Sequence, residues 1–201
     1  MVPRAEIVLF DLGGVLAEQG VTAGMRDLAG LDTEEEVLSR WIACQWVRRF
    51  ESGGCTASEF AAGVVEDWSL SASPDEFLES FRGWAVAPLP GSRELVVATG
   101  ASATVGCLSN TNVVHWEDRV STWGLVELFE YPILSFRLGC VKPDREIYEL
   151  AVRAVGCPPN RILFLDDNEA NVEAAREAGI QSSQVRGVSA ARDALRRAGV
   201  L

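Results

Sequence analysis

Short apolar runs that stop at polar or turn-forming residues recur along the chain, as is typical of buried strands in a parallel sheet. These runs cover residues 5–10, 104–108, 131–135, 161–165 and 180–185. Segments with apolar residues at helical spacing lie between and after them, at residues 92–99, 143–155, 168–178 and 190–198. Because strands that alternate with helices favour βαβ units, we predict the α/β class, with a Rossmann-like parallel sheet in a three-layer sandwich.

Residues 17–87 interrupt this alternation, since they contain four tryptophans but no convincing strand. Helical patterns cover residues 23–29, 33–50, 57–68 and 74–84. Two of these patterns begin with a capping-box motif, at Thr33 and Thr56. We therefore predict a small α-helical cap at residues 17–87, inserted after the first strand, and a core domain formed by residues 1–16 and 88–201.

The charge and composition narrow the choice of partners. The chain has 201 residues and a formal net charge of −11. Such a surface repels nucleic acid and anionic membranes, but it admits a small phosphorylated metabolite where a bound cation reverses the local charge. Five scattered cysteines without a CxxC pair, and no run of roughly 18 apolar residues, fit a cytoplasmic protein without a membrane span. The sequence is compatible with either a monomer or a homodimer.

Polar clusters follow three of the predicted strands, at the point where each strand ends. Asp11 follows the first strand, Ser109 and Asn110 follow the second, and Asp166 and Asp167 follow the fourth. The carboxyl ends of parallel strands gather at one edge of the sheet, where ligands bind in open α/β folds. We therefore expect these residues to face one another although more than 150 positions separate the first from the last.

Three carboxylates at one edge of a sheet repel one another unless a cation compensates them. Magnesium prefers oxygen ligands and is held by one or two carboxylates together with phosphate and water. Such an ion also screens the approach of an anionic substrate. We predict a Mg²⁺ site that includes Asp11, Asp166 and Asp167. The alternative, in which aspartates merely cap helices, explains one such residue better than three on separate strands.

Further candidates flank this cluster. Lys142 is the only lysine beside 17 arginines, and it precedes a predicted helix from which it can reach the carboxylates and a phosphate oxygen. Ser109 and Asn110 suit a phosphoryl group, although a polar turn would also contain them. A solvated surface lysine is the alternative for Lys142. The single histidine, His115, belongs to no recognisable Ser-His-Asp set, and we expect it to order a loop.

Four segments, in this order, resemble the motifs of the haloacid dehalogenase (HAD) superfamily, and the resemblance covers nearly the whole chain. The segments are FDLGGVL at 10–16, LSNTN at 108–112, GCVKP at 139–143 and FLDDN at 164–168. The helical insertion after the first motif is similar to a C1-type cap. The wording of the motifs is similar to the branch with glucose-1-phosphate phosphatases and the phosphatase domain of epoxide hydrolase.

The resemblance implies a phosphatase mechanism in which Asp11 attacks phosphorus and water then hydrolyses the aspartyl-phosphate. It implies Mg²⁺ held by the Asp11 carboxylate, the Gly13 carbonyl and Asp167, with Asp166 acting directly or through water. Lys142, with Ser109 or Asn110, would hold the transferring phosphoryl group. The resemblance thus implies a small phosphate monoester as substrate, and a sugar phosphate is one candidate.

One position departs from the pattern of the family. Gly13 stands where phosphatases of this kind carry a second aspartate as general acid and base, a function worth about 10²–10⁴ in rate. Glu18, His115 or a residue of the cap could replace it. Otherwise the chain is a catalytically weak relative with a binding or regulatory role. A 2-haloacid dehalogenase is a less favoured alternative, because its metal-free site has no use for two extra carboxylates.

The cap would set the choice of substrate, because its loops close over the site. Four of its residues, Met25, Arg26, Arg48 and Arg49, could face a sugar or a phosphate, or solvent. Its tryptophans fit the interior of the cap better than a role in stacking on a ligand.

Overall fold

The computed structural model describes residues 3–118 and 120–201, and for residues 85 and 86 it describes only the backbone. The strands are β1 (Ile7–Phe10), β2 (Ala17–Gln19), β3 (Ala85–Pro88), β4 (Thr104–Ser109), β5 (Tyr131–Leu134), β6 (Ile162–Asp166) and β7 (Gln181–Gln184). A parallel five-stranded sheet has the order β5-β4-β1-β6-β7. This arrangement places β1 in the middle, between the two strands whose ends carry the other polar clusters.

Helices cover both faces of this sheet. They are α6 (Ser92–Gly100), α7 (Val113–Asp118), α8 (Ser135–Leu138), α9 (Arg145–Val155), α10 (Glu169–Glu177) and α11 (Gly187–Arg197), with 3-10 turns at Val120–Thr122, Val126–Leu128 and Pro159–Arg161. Alternate residues of β1 point to opposite faces. Val8 and Phe10 pack in the cluster that contains α6 and α11, and Ile7 and Leu9 pack in the cluster that contains α9 and α10. The predicted α/β class and three-layer arrangement are confirmed.

A second group of helices lies between β2 and β3. These are α1 (Val21–Ala29), α2 (Glu34–Ala43), α3 (Gln45–Glu51), α4 (Ala57–Trp68) and α5 (Pro74–Arg82). Their aromatic side chains form a separate apolar cluster, in which the rings of Phe50 and Phe60 stack at 4.4 Å between centroids. Complete capping boxes begin α4 at Thr56 and α5 at Ser73, whereas Thr33 accepts a single hydrogen bond, from the backbone N–H of Glu36.

The structure differs from the sequence predictions at two places in this segment. The helix predicted at 33–50 is two helices, because Cys44 is extended (ψ 119°) and turns the chain between α2 and α3. The prediction that residues 17–87 contain no strand is wrong, because β2 pairs antiparallel with β3. Strands of three and four residues carry little periodic signal, so their pairing depends on how the chain leaves and re-enters the core. The cap boundaries, residues 17 and 87, lie within this pair and stay a prediction.

Register explains why the functional strand ends coincide. Phe10 of β1 pairs with Cys107 of β4 and with Leu165 of β6. Asp11 therefore emerges at the same level as the carboxyl ends of both neighbours, and its backbone N–H donates to the carbonyl of Leu165 (2.8 Å). Among the described residues, none of the helices is both long and apolar enough to cross a membrane.

Candidate active site

Lys142 lies at the centre of the polar residues that end the strands. Its Nζ is 2.9 Å from Oδ1 of Asp11 and 2.6 Å from Oδ2 of Asp166, and it donates a third hydrogen bond to the carbonyl of Leu108 at 3.0 Å. Lys142 is 4% exposed, so the alternative of a solvated surface lysine does not hold. The three hydrogen-bond donors of the ammonium group are all used, which fixes the charge between the two carboxylates.

The side chain of Asn110 holds the backbone around Lys142. Its Nδ2 donates to the carbonyl of Lys142 (2.9 Å), and its Oδ1 accepts from the backbone N–H of the same residue (2.8 Å). This pair of bonds ties the end of β4 to the loop before α9. The amide of Asn110 is therefore occupied as a clamp. The hydroxyl of Ser109 makes a single long contact, 3.4 Å to the carbonyl of Asn110, which makes Ser109 the better candidate for a phosphoryl oxygen.

Asp11, Asp166 and Asp167 form the acidic cluster, with one oxygen of each within 4.8 Å of the others. Asp166 is fully buried, and both its oxygens accept from Nδ2 of Asn171 (3.1 Å) while Oδ1 also accepts from the backbone N–H of Asn168 (2.8 Å). Its oxygens are thus engaged with protein groups. The contacts of Asp167 are longer. Its Oδ2 is 3.3 Å from Nε2 of Gln19 and 3.7 Å from a guanidinium nitrogen of Arg186.

The two glycines after Asp11 fill different needs. Gly14 adopts a left-handed conformation (φ +73°), and a side chain there would collide with the carboxylate of Asp167. At Gly13 the backbone is not strained, and an added Cβ would lie in ordinary contact, 3.5 Å from the side chain of Gln19. Gly14 is therefore required by the close approach of Asp167, whereas Gly13 is not required by geometry. Gly13 lines the cavity described below.

Electrostatics follow from this crowding of like charges. Burial raises the pKa of Asp11 above its ordinary value, Asp166 adds to that rise, and Lys142 opposes it. Burial also raises the pKa of Asp167, with a further contribution from Asp166. Burial alone would lower the pKa of Lys142, but the two carboxylates outweigh it and the net direction is upward. Lys142 is therefore charged, and the acidic cluster has negative charge to spare for a further cation.

These residues lie at the base of a cavity of about 240 Å³ between the strand ends and the helices α1–α5. Its lining includes the predicted residues Asp11, Ser109, Lys142 and Asp167, and also Glu18, Gln19, Trp41, Glu51, Trp84 and Trp123. Sequence reasoning named Glu18 and two of these tryptophans but missed Gln19, Glu51 and Trp123. Glu51 carries no local signal, since it is one charged residue at the end of an ordinary amphipathic helix.

The four cap residues singled out from the sequence do not gather at the main cavity. Met25 is fully buried in the aromatic cluster, Arg26 pairs with two exposed carboxylates, and the guanidinium of Arg49 lies over the ring of Trp46. Arg48 pairs with Asp144 and lines a neighbouring cavity of about 190 Å³ together with Lys142. Arg48 is thus the member of this set that approaches the strand ends.

His115 orders the loop after β4. Its Nε2 lies 2.7 Å from the carbonyl of Phe81, which can only accept, so Nε2 carries the proton and Nδ1 faces the amide of Asn112 at 3.4 Å. The imidazole stacks on the ring of Phe81, at 4.1 Å between centroids. These contacts link α7 to the end of α5, and His115 also lines the main cavity.

The motifs, the fold and the strand-end site agree with a comparison against known families. The model of the haloacid dehalogenase-like hydrolases matches residues 5–179. The chain belongs to this family, and the resemblance to the HAD superfamily is confirmed at that level. The narrower branch within the superfamily stays a prediction.

Curated relatives of the chain include several phosphatases. N-acetylmuramic acid 6-phosphate phosphatase of Pseudomonas aeruginosa is 29% identical over 91% of this chain and 82% of its own length. D-ribitol-5-phosphate phosphatase of Bacteroides thetaiotaomicron is 26% identical over 88% of this chain and 90% of its own length. Bifunctional epoxide hydrolase 2 of the rat is 26% identical over 92% of this chain but only 37% of its own length.

Solved structures support the same fold. A HAD family enzyme from Bacteroides thetaiotaomicron superposes with a TM-score of 0.74 at 24% identity, over 92% of this chain and 95% of its own. That enzyme has also been solved in complex with magnesium and inorganic phosphate, and this form matches with a TM-score of 0.73 at 23% identity over 90% and 94%. L-2-haloacid dehalogenase of Xanthobacter autotrophicus gives 0.66 at 21% identity over 90% and 77%. At these identities the likeness concerns the fold alone.

Proposed function

We propose that the chain is a magnesium-dependent phosphatase that hydrolyses a small phosphate monoester through an aspartyl-phosphate on Asp11. The observation that carries this proposal is the cluster of Asp11, Asp166 and Asp167 at the base of a cavity, where one buried lysine binds the first two of these carboxylates. Membership of a hydrolase family and the phosphatases among its relatives support the class of enzyme, a hydrolase of phosphate monoesters.

The donor set fits a hard divalent cation. One buried ammonium group binds two of the three carboxylates, those of Asp11 and Asp166, and oxygen atoms of all three carboxylates lie within 4.8 Å of one another. Asp11 and Asp167, with the backbone carbonyl of Gly13, would hold Mg²⁺. The oxygens of Asp166 are engaged with Lys142 and Asn171, so Asp166 would support the site without binding the ion directly. A bound Mg²⁺ would neutralise negative charge on the phosphate and on the cluster.

The protein groups then divide the reaction between them. An oxygen of Asp11 attacks phosphorus, a bond forms between that oxygen and phosphorus, and the bond from phosphorus to the leaving oxygen breaks. The bond from Oδ1 of Asp11 to Lys142 orients the carboxylate for this attack. Lys142 and Ser109 stabilise the charge on the phosphoryl oxygens. Water then attacks the aspartyl-phosphate, which releases inorganic phosphate and restores Asp11.

The cavity favours a small, polyhydroxylated substrate. Its volume of about 240 Å³ fits a phosphorylated sugar or sugar alcohol rather than a polymer, and Trp41, Trp84 and Trp123 offer apolar faces beside polar side chains. The relatives named above include phosphatases of a sugar acid phosphate and of a pentitol phosphate, which supports the same class of substrate here. We propose that the protein acts on this substrate in the cytoplasm.

The second candidate is a catalytically weak relative that binds a phosphorylated ligand. Gly13 favours it, because glycine cannot transfer a proton. A dehalogenase is disfavoured by Asp167, a second carboxylate that faces the cavity beside the nucleophile. These candidates predict opposite results in a single assay.

The test is hydrolysis of p-nitrophenyl phosphate and a panel of sugar, polyol and nucleotide phosphates, with Mg²⁺ or with EDTA. We expect turnover that requires Mg²⁺ and falls to background in Asp11→Asn. Asp193→Asn, an exposed aspartate of α11, is the matched control and should retain full activity. Absence of turnover in folded wild-type protein that still binds Mg²⁺ would assign the chain to the binding role.

A further inference from the structure

A glutamate of the helical segment reaches the cavity in which this chain, with Gly13, lacks the acid of the family pattern. Glu51 is the last residue of α3, and it lines both the main cavity and the neighbouring one. Asn110 and Lys142 line the same two cavities. Glu51 therefore shares the space above the strand ends with Lys142, which would hold the phosphoryl group, and with Asn110, which clamps Lys142.

The helix that carries Glu51 is fastened on both sides. Arg48, one turn earlier, pairs with Asp144, two residues after Lys142. Phe50 stacks on Phe60 inside the aromatic cluster. Beyond the helix, Gly53 is left-handed (φ +69°) and lies so close to the carbonyl of Phe136 in α8 that a side chain would collide with it. The position of Glu51 over the strand ends is thus set by packing and not by a flexible loop.

Glu18 is the competing carboxylic acid of this cavity, and its surroundings differ. Glu18 lies on β2, is exposed, and also lines an open groove at the surface. Glu51 is half-buried, and burial raises its pKa to about 7, with a lowering effect of Lys142 and a raising effect of Asp11. A carboxyl group with such a pKa exists in both protonation states near neutral pH, as a group that must give and take a proton requires.

We propose that Glu51 is the general acid and base of this enzyme and replaces the aspartate that is missing at Gly13. In the first step the carboxylic acid of Glu51 gives its proton to the leaving oxygen as the phosphorus–oxygen bond breaks. In the second step its carboxylate takes a proton from the water that attacks the aspartyl-phosphate, so the cycle ends with Glu51 protonated and Asp11 free. This assignment rests on the proposed phosphatase function.

The geometry at Gly13 is consistent with this replacement. A Cβ at Gly13 would meet Gln19 at 3.5 Å without backbone strain, so an aspartate is sterically admissible there. Gln19 instead lies beside the glycine and donates to Asp167. Combining Glu51→Gln with Gly13→Asp would therefore transfer the proton-transfer group from the helical segment to the core.

The deciding experiment compares leaving groups in Glu51→Gln. Alkoxide leaving groups of sugar and polyol phosphates need a proton, whereas p-nitrophenolate departs without one. We expect kcat/KM for a polyol phosphate to fall by about 10²–10⁴-fold and that for p-nitrophenyl phosphate by less than about 10-fold. Glu51→Gln should also accumulate the phosphorylated enzyme, detected by intact-protein mass spectrometry after an acid quench. Glu79→Gln, on an exposed glutamate of α5, is the matched control and should behave as wild type.

A rescue variant separates chemistry from packing. Adding Gly13→Asp to Glu51→Gln should recover at least about 10-fold of the lost kcat/KM on the polyol phosphate. Equal losses on both leaving groups without a phosphorylated intermediate, a folded double variant without recovery, or a larger loss in Glu18→Gln than in Glu51→Gln would each overturn the assignment. If Asp11→Asn abolishes turnover while Glu51→Gln is fully active, this inference fails and the phosphatase proposal stands. If wild-type protein has no turnover, both fail.

Discussion

Two regions meet at the cavity, and they place their side chains by different means. In the core, Asp11 and Asp166 lie at the carboxyl ends of parallel strands whose register puts these ends at one level, and Lys142 is held between them by three hydrogen bonds. In the segment α1–α5, the side chains pack in an aromatic cluster, and Glu51 reaches the cavity because its helix packs on that cluster and pairs with Asp144. Backbone pairing between strands therefore positions the proposed catalytic residues of the core, whereas side-chain packing positions the helical segment α1–α5 above them.

Of the changes considered in the two regions, replacing Lys142 should have the largest effect on stability and turnover. Lys142→Met leaves two buried carboxylates without their cation, so we expect the metal-free protein to lose about 3–5 kcal/mol of unfolding free energy. We also expect turnover to fall by about 10²–10³-fold or more, because a donor to the phosphoryl group is lost. Urea unfolding in EDTA and steady-state kinetics measure the two effects.

The control for this variant is Arg145→Met, which removes a cation whose side chain is 80% exposed and should change stability by less than about 0.5 kcal/mol. Unchanged stability of Lys142→Met in EDTA would contradict the view that Lys142 compensates the acidic cluster.

Shortening a side chain of the aromatic cluster should destabilise the helical segment α1–α5 without changing the proposed metal site of the core. Phe60 is fully buried among Trp41, Phe50, Phe77 and Phe81, so Phe60→Ala should cost about 3–5 kcal/mol. The affinity for Mg²⁺ should remain, because the proposed metal ligands belong to the core. Urea unfolding and Mg²⁺ titration by calorimetry measure both quantities.

Ile42→Ala, at a side chain that is 60% exposed, is the control for Phe60→Ala and should be nearly neutral. A loss of Mg²⁺ binding in Phe60→Ala with the core still folded would show that the two regions are not separable.

The pH dependence of Glu51 gives the smallest expected effect. The pKa of Glu51 in the folded protein, about 7, lies above its ordinary value of 4.5 because of burial. The folded state therefore binds the proton more tightly, and its stability falls as the pH rises from about 4.5 to about 7. Glu51→Gln should remove this decline, so its gain over wild type should be larger at pH 8 than at pH 5.

We expect a difference of about 1 kcal/mol between the two pH values after allowance for solvent screening of a half-buried group, or roughly 2–4 °C in Tm. Thermal unfolding in EDTA at both pH values measures it, with Glu79→Gln as the control. A gain that does not depend on pH would show that Glu51 titrates normally in the folded protein.

Several features could be read from the sequence because they depend on local patterns. The strand runs before Asp11, Ser109 and Asp166 are short, apolar and sharply ended, and the α/β alternation implies that parallel strands end together. Lys142 stood out as the single lysine of the chain. The inferences on the strand ends need a pattern within ten residues and one general rule of topology, whereas the inference on Lys142 needs the composition of the whole chain. In the structure, these residues lie at or beside the strand ends.

Other features could not be read in this way. The break at Cys44 contradicts a continuous amphipathic pattern, because the packing of Trp41 and Phe50 on the aromatic cluster sets the direction of α2 and α3. The pairing of β2 with β3 joins residues 66 and 71 positions apart that have no strand pattern of their own. Such contacts depend on distances through space, which periodicity does not encode.

By itself, the sequence determined the order of the five strands of the parallel sheet along the chain and the set of polar residues at their ends, since hydrophobic period and strand termination are properties of neighbouring residues. The tertiary structure alone decided that Asn110 clamps Lys142, that His115 binds the end of α5, and that Glu51 reaches the cavity. These three roles depend on which face of one element meets another, and that choice is made by the packing of whole helices against the sheet.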